Sequence, residues 1–299
     1  MIAPASPALP DAAPDVAARF VRLKQRPVAL SVRNLGKQFP TPKGTTTALQ
    51  NVSFDVHQRE LMCVIGPSGC GKSTLVRILA GLESPTSGEV LVAGTPVTGP
   101  GPDRGMVFQS YTLFPWLTVK ENVMFGRRVS GRPTLFAESE AREWIELVGL
   151  SKFENSYPHQ LSGGMKQRVA IARALANQPR VLFMDEPFGA LDAQTRSNMQ
   201  AYLLEIWKNV DITIVFITHD LDEAVFLSDR ILVLDANPGR IRDLVEVPVP
   251  RPRSFSQLTD TPFSDTRKFI EHLIHPPSTG ETNDRFPVLR MSLPDPDVV

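Results

Sequence analysis

Residues 60–82, ELMCVIGPSGCGKSTLVRILAGL, constrain the fold more than any other part of this chain. The opening run ELMCVIG lacks polar alternation, the pattern of a strand buried on both faces. It passes directly into GPSGCGKS (66–73) and then into the helical TLVRILAGL. A strand, a turn matching G-x-x-x-x-G-K-[ST] and a helix, in that order, form a phosphate-binding loop. Gly66, Gly69 and Gly71 let the backbone wrap so that successive N–H groups point at phosphate. Pro67, Ser68 and Cys70 complete the loop that would hold the nucleotide. Lys72 supplies a point charge to the β- and γ-phosphates. Ser73 offers a hydroxyl to Mg²⁺, and Thr74 continues the helix start. The bland alternative is a chance glycine-rich turn, and the flanking strand and helix argue against it.

Three further strand ends carry polar groups suited to the same chemistry. RVLFMDEP (180–187) is a second buried run, and Asp185 emerges at its carboxyl end, beside the phosphate loop in a parallel sheet. From there it can hold Mg²⁺ through water. Glu186 follows at once and is suited to polarising an attacking water. His219 ends FITHD, where it can hydrogen-bond a γ-phosphate oxygen. Gln109 ends GMVFQ, where it can orient water or sense Mg²⁺. Each has an ordinary structural alternative taken singly; four strand ends converging on one crevice do not.

LSGGMKQR (161–168) puts Ser162, Gly163 and Gly164 at the start of an amphipathic helix. Unpaired N–H groups and the positive dipole end gather there. On its own the octet favours an ordinary N-cap serine with a flexible entry. Elsewhere, VALSVRNLGKQF and TTALQNVSFDVHQ alternate like antiparallel strands, ITIVFITHD is another buried run, and RILVLDANPGRI reads as a hairpin. Residues 117–178 have helical periodicity, and TRSNMQAYLLEIWKNV lies between two buried strands. The expected fold is α/β: a mixed, mainly parallel sheet with an antiparallel part before it.

The chain has 299 residues, 42% of them apolar, enough for one large domain or two small ones. Its formal net charge is zero, which gives no global field toward nucleic acid or anionic membranes. Cys63 and Cys70 fall in a strand and its following turn, which argues against a disulfide and fits a reducing compartment. No apolar run approaches the roughly 18–20 residues that span a bilayer, so a membrane role requires a partner. Residues 1–27, rich in Ala and Pro, are expected to be a mostly disordered extension. VPVPRPRSFSQLTDTPF reads as a Pro-rich linker before a short helix near 264–275, and 276–299 as a flexible tail.

The motifs in this order resemble the ATP-binding cassette (ABC) family: GPSGCGKST as Walker A, Gln109 as the Q-loop, LSGGM as the signature, and RVLFMDE as Walker B. GALD (189–192) then matches the D-loop, and His219 the switch histidine. The resemblance covers about residues 28–275 and implies a P-loop NTPase core at 28–250, with an antiparallel β subdomain and a helical signature subdomain at about 110–178. It places Phe39 where the family stacks an aromatic on adenine. It implies a head-to-tail dimer in which Ser162, Gly163 and Gly164 contact a γ-phosphate held by the partner's Walker A, with Asp192 at the interface. Leu113, Phe114 and Trp116 would line a groove for a transmembrane permease subunit; part of that stretch also reads as core packing.

LFPWLTVKENV, DEPFGALDAQTR, THDLDEAVFLSDRILVL and PGRI look like the ATPase subunits of nitrate/sulfonate/taurine importers of bacteria. Such subunits sit peripherally on the cytoplasmic face of the inner membrane and are served indirectly by a periplasmic solute-binding protein. An ATPase for another solute such as a pyrimidine precursor, an exporter ATPase and a non-transport cassette stand as alternatives. Nucleic acid is not an expected partner, because the chain has no basic footprint. Met165 stands where the most familiar signature has Gln, and the phosphate contacts assigned to Ser162 and the glycines do not need that side chain.

Overall fold

The computed structural model describes residues 9, 11–42 and 44–276. Strands β1 (Val28–Thr41) and β2 (Gly44–His57) run antiparallel, with β-bulges that let 14-residue strands coil. The second sheet begins with β3 (Leu61–Ile65), which leads into helix α2 (Lys72–Leu79). Strands β4 (Ser87–Val92) and β5 (Thr95–Pro96) complete a four-stranded sheet of order β2-β1-β4-β5.

The other sheet adds β6 (Arg104–Val107), β7 (Val181–Asp185), β8 (Thr213–Ile217), β9 (Arg230–Asp235) and β10 (Arg240–Glu246) to β3, in the order β10-β9-β3-β8-β7-β6. Its pairings are parallel except that of β10 with β9. Both faces are buried, which explains the unbroken apolar runs. Leu61, Cys63, Ile65, Leu182, Met184, Ile214 and Phe216 face one core cluster, while Met62, Val64, Phe183, Val215 and Ile217 face another. Helix α2 covers the second face with Leu75, Val76, Ile78 and Leu79. On the first face lie α5 (Gly163–Leu175), α6 (Ala193–Asn209), α7 (Leu221–Leu227) and α8 (Thr261–Ile274).

Helices α3 (Val119–Val129) and α4 (Thr134–Leu147) pack on α5 around their own cluster of Val119, Val123, Ile145, Val169 and neighbours. Helix α3 opens with a capping box: the Thr118 hydroxyl accepts from the Glu121 N–H, and the Glu121 carboxylate accepts from Thr118. A buried ion pair joins the two sheets. Arg230 donates to both Glu60 oxygens, at 2.6 and 2.9 Å, and to the Asp55 carbonyl, while the His57 N–H donates to Glu60. Among the described residues no helix is long and apolar enough to cross a membrane.

The structure corrects the sequence reading at both ends. Within the segment read as a disordered extension, Pro14–Lys24 form a helix, α1, whose face of Val16, Phe20 and Leu23 is buried. Arg19 donates to the carbonyls of Val247 and Val249, and Lys24 pairs with Glu246. Periodicity over so short a helix is weak, and its partners lie more than 220 residues away. Residues 1–8 and 10 of that extension lie outside the described residues, as do 277–299 of the segment read as a tail.

The Pro-rich stretch is not a free linker: Val247 and Val249 are in the main core, and Arg251 bonds Asp229 and the Leu227 carbonyl. Helix α8 starts at Thr261, earlier than the sequence suggested, and buries Phe263 and Ile270. Helix α7 went unnoticed because its seven residues are too few to show a period. Truncating Phe20 to Ala should lower unfolding stability by about 3 kcal/mol in a denaturant titration. A disordered extension would leave it unchanged.

Candidate functional site

The phosphate loop lies between the carboxyl end of β3 and the start of α2, where the first helical N–H groups have no intrahelical partner. Gly71 has φ +95°, and a Cβ there would sit 2.9 Å from the Ala48 carbonyl oxygen and 2.8 Å from Leu49 Cδ2. Only glycine meets both demands. Lys72 is buried, and its Nζ donates to the carbonyls of Gly66 (2.8 Å) and Pro67 (3.1 Å), 3.8 Å from Cys70 Sγ. Burial pushes the Cys70 thiol up, against the pull of Lys72. The ammonium thus sits inside the loop it would serve.

A cavity of about 330 Å³ opens here, lined by Ala48, Ser68, Gly69, Gly71, Lys72, Ser73, Thr74 and Glu186. One chamber therefore joins the phosphate loop to the carboxylate that follows β7. The Ser73 hydroxyl donates to Asp185 Oδ1 at 3.4 Å. Burial pushes the Asp185 carboxyl up, with Ser73 opposing and Glu186 adding to it. Glu186 itself has φ +44°, a conformation side chains seldom adopt, and its N–H donates to the Ile217 carbonyl of β8. Its Oε2 lies 3.1 Å from His219 Nδ1. His219 is mostly exposed and follows β8. Gln109 comes to the same place: a Cβ on Gly189 would be 3.6 Å from Gln109 Nε2 and 3.9 Å from Glu186 Oε2. Chemically, this set can cradle polyphosphate and offer a carboxylate base aimed by an imidazole.

Other residues singled out in the sequence stand apart. Phe39 is partly exposed on β1, pairs with Thr46 two residues before Ala48, and has Lys37 Nζ 4.7 Å from its ring centre. Ser162, Gly163 and Gly164 do not line the loop cavity. Ser162 caps α5 by accepting from the Met165 N–H, as the bland reading held. A Cβ on Gly164 would press to 2.8 Å from Thr195 Cγ2. Met165 packs against the α3–α4–α5 apolar cluster, so its thioether fills space there. Asp192 is exposed and caps α6, accepting from the Thr195 N–H, which holds its carboxyl below the usual range.

Of the expected groove residues, Leu113 is partly buried against two core clusters, so for it the core reading applies. The Phe114 ring packs at a tilt against Phe125, centroids 4.5 Å apart, and against Trp116 at 5.8 Å, and Trp116 is 70% exposed. Sequence reasoning passed over the two side chains that hold this stretch. Buried Asn122 accepts from the Phe114 N–H and donates within reach of the Phe114, Leu117 and Thr118 carbonyls. Arg173 donates to Thr112 and Tyr111 and covers the Phe114 ring. Burial marks Asn122, and contacts with Thr112, Tyr111 and Phe114 mark Arg173.

A phosphate loop on a doubly covered parallel sheet, with a carboxylate and a histidine at neighbouring strand ends, defines a P-loop nucleotide-hydrolysing domain. The family model described as ABC transporter matches residues 49–189. The chain is 51% identical, over 83% of its length and 91% of the relative's, to an uncharacterized ABC transporter ATP-binding protein of Methanocaldococcus jannaschii. It is 46% identical to an aliphatic sulfonates import ATP-binding protein of Bacillus cereus, over 76% of this chain and 89% of that one. It is 49% identical to a nitrate import ATP-binding protein of Synechocystis, over 74% and 83%. A solved dimeric ATP-binding cassette in a post-hydrolysis state with ADP and Pi matches with TM-score 0.64 and 33% identity, covering 73% of this chain and 98% of that one. The chain belongs to the ABC transporter family, as an ATP-binding cassette, and is an ATPase.

Gly71→Ala should raise the Kd for ATP at least about tenfold in a fluorescent-nucleotide titration, since strain of 1–3 kcal/mol falls on the loop itself. Unchanged affinity would mean that the nucleotide does not use this loop.

Proposed function

We propose that the chain is the ATPase subunit of a bacterial importer for a small anion of the nitrate/sulfonate/taurine class, acting through a separate permease. Glu186 lining the same chamber as Lys72 and Ser73 is the observation that carries the hydrolytic assignment. The solute class is supported by the relatives named for nitrate and sulfonate import. The permease would take the face around Trp116 and Phe114, with a periplasmic binding protein delivering solute to it. This puts the chain at the cytoplasmic face of the inner membrane.

In the proposed mechanism the loop N–H groups and Lys72 hold the β- and γ-phosphates, and Phe39 stacks on the adenine. Ser73 and Asp185 present a hydroxyl and a carboxylate oxygen side by side, a hard-donor pair that fits Mg²⁺, and Gln109 is the third residue assigned to it. When bound, Mg²⁺ neutralises charge on the phosphate oxygens. Glu186 takes a proton from the water that attacks the γ-phosphorus, and the bond to the β-phosphate oxygen breaks to leave ADP. The His219 ring, in contact with Glu186 Oε2, fixes the aim of that carboxylate and reaches a γ-phosphate oxygen. Ser162, Gly163 and Gly164 are set apart from their own loop cavity, which favours a head-to-tail dimer. In it the α5 terminus meets the γ-phosphate on the partner, and Asp192 lies at the seam.

Glu186→Gln should keep the Kd for ATP and lose turnover by at least about a hundredfold. Size-exclusion chromatography with ATP should then show a trapped dimer. Turnover at the wild-type rate would remove Glu186 from the base role. For the solute, the chain reconstituted with its permease is assayed with binding proteins loaded with nitrate, taurine, alkanesulfonates or pyrimidine precursors. Stimulation by one of the first three supports the assignment, stimulation by a pyrimidine precursor replaces the solute class, and stimulation by none overturns the importer reading.

A further inference from the structure

Helix α6 begins at the D-loop residue Asp192 and carries Arg196 and Gln200 one turn apart, on the same face. Both are directed at α7, which begins immediately after His219 and Asp220. Arg196 Nη1 lies 3.7 Å from Asp220 Oδ2, and Gln200 Nε2 donates to Glu223 Oε1 at 3.0 Å. These two rungs match an i,i+4 pair on α6 with an i,i+3 pair on α7. The lower rung is dry: Gln200 is 8% and Glu223 4% exposed.

The bonds continue to the reacting end of the site. Asp220 caps α7 by accepting from the Glu223 N–H, and the Asp220 N–H donates to the Thr218 hydroxyl. Thr218 is 2% exposed, so the hydroxyl that anchors Asp220 is itself held in the interior. His219 sits between Thr218 and Asp220, so its backbone is clamped on both sides while its ring reaches Glu186. On the other side, Arg196 Nη2 donates to the Leu191 carbonyl, and the Arg196 N–H donates to the Asp192 carbonyl, both in the D-loop. Arg196, Asp220 and Glu223 line one small void of about 10 Å³ together with Glu186 and His219.

From this ladder we infer that Arg196, Gln200 and Glu223 are positioning residues that lock the D-loop helix to the His219 loop. Any displacement of the D-loop then moves His219 against Glu186. Burial pushes the Glu223 carboxyl up, opposed by Thr218 and by its bond to Gln200, so a neutral amide of the same shape fits its place. The inference rests on the catalytic roles proposed for Glu186 and His219. It adds residues that do not line the phosphate-loop cavity.

The test is steady-state ATP hydrolysis by the full chain, with kcat and KM measured separately for Gln200→Leu, Arg196→Met, their double variant, Glu223→Ala and Glu223→Gln. Thermal melting of each confirms that it is folded. Cutting either rung should lower kcat roughly ten- to a hundredfold with KM for ATP within about twofold of the parent, because misaimed groups slow chemistry without weakening binding. The double variant should be little worse than either single one, since both cut the same lock. Glu223→Gln should restore most of the kcat lost in Glu223→Ala. Folded Gln200→Leu and Arg196→Met proteins with parental kcat overturn the inference, as does Glu223→Gln falling as far as Glu223→Ala. Glu186→Gln run in parallel separates the two failures. If it hydrolyses normally, the catalytic assignment is at fault; if it is dead while the rung variants work, only the ladder is wrong.

Discussion

Burial of both faces of the six-stranded sheet is the constraint on which the site depends. A strand covered on both sides cannot carry a polar side chain along its length without leaving it unpaired in a dry interior. Polar groups are therefore pushed to the strand ends. In a mostly parallel sheet the carboxyl ends of β3, β7, β8 and β6 share one edge. The loop of Lys72, the Asp185–Glu186 pair, His219 and Gln109 follow those four ends. The chemistry is concentrated because the rest of the sheet excludes it.

That constraint also explains what was legible in the sequence. LMCVI, VLFMD and TIVFI announce themselves because each is apolar at every position but at most one end, and the candidate site residues come at the end of the run or within a few positions after it. The glycines of 66–71 are equally plain, since a backbone that wraps an anion has few alternatives. Helix α1, the packed 247–253 segment, Asn122 and the α6–α7 ladder were not legible. Their significance comes from partners that no local pattern announces: Arg19 to Val247, Asn122 to Phe114, Gln200 to Glu223. A buried Asn or Glu looks like an exposed one until the fold supplies its neighbours. The Pro-rich stretch misled for the same reason, because composition reports the freedom of an isolated chain and says nothing of Arg251 closing on Asp229.

The signature octet shows how one local structure serves two purposes. Ser162 spends its side-chain oxygen on the Met165 N–H, an ordinary cap. Gly163 and Gly164 are glycines for packing as well: a Cβ on either would come within about 3.1 Å of Tyr111 or Thr195. Both facts are satisfied within one chain, yet the helix terminus still presents N–H groups and a positive dipole end. The chain's own phosphate loop is a separate cavity, so an anion at this terminus has to be carried by another molecule. In the proposed dimer that molecule is a second copy, and each site is completed from two chains.

Such a site needs a device that makes hydrolysis wait for the partner. Lys72 and the loop carbonyls it bonds belong to one chain, so nucleotide binding alone gives no such dependence. Glu186 and His219 can give it, because their contact joins a strained residue after β7 to an exposed one after β8. A carboxylate base loses rate steeply with small errors of aim. If α6 is rigidly tied to the His219 loop, the partner's contact with the D-loop becomes a contact with the base itself. Without that tie, closure of the dimer would reach Glu186 only through the nucleotide.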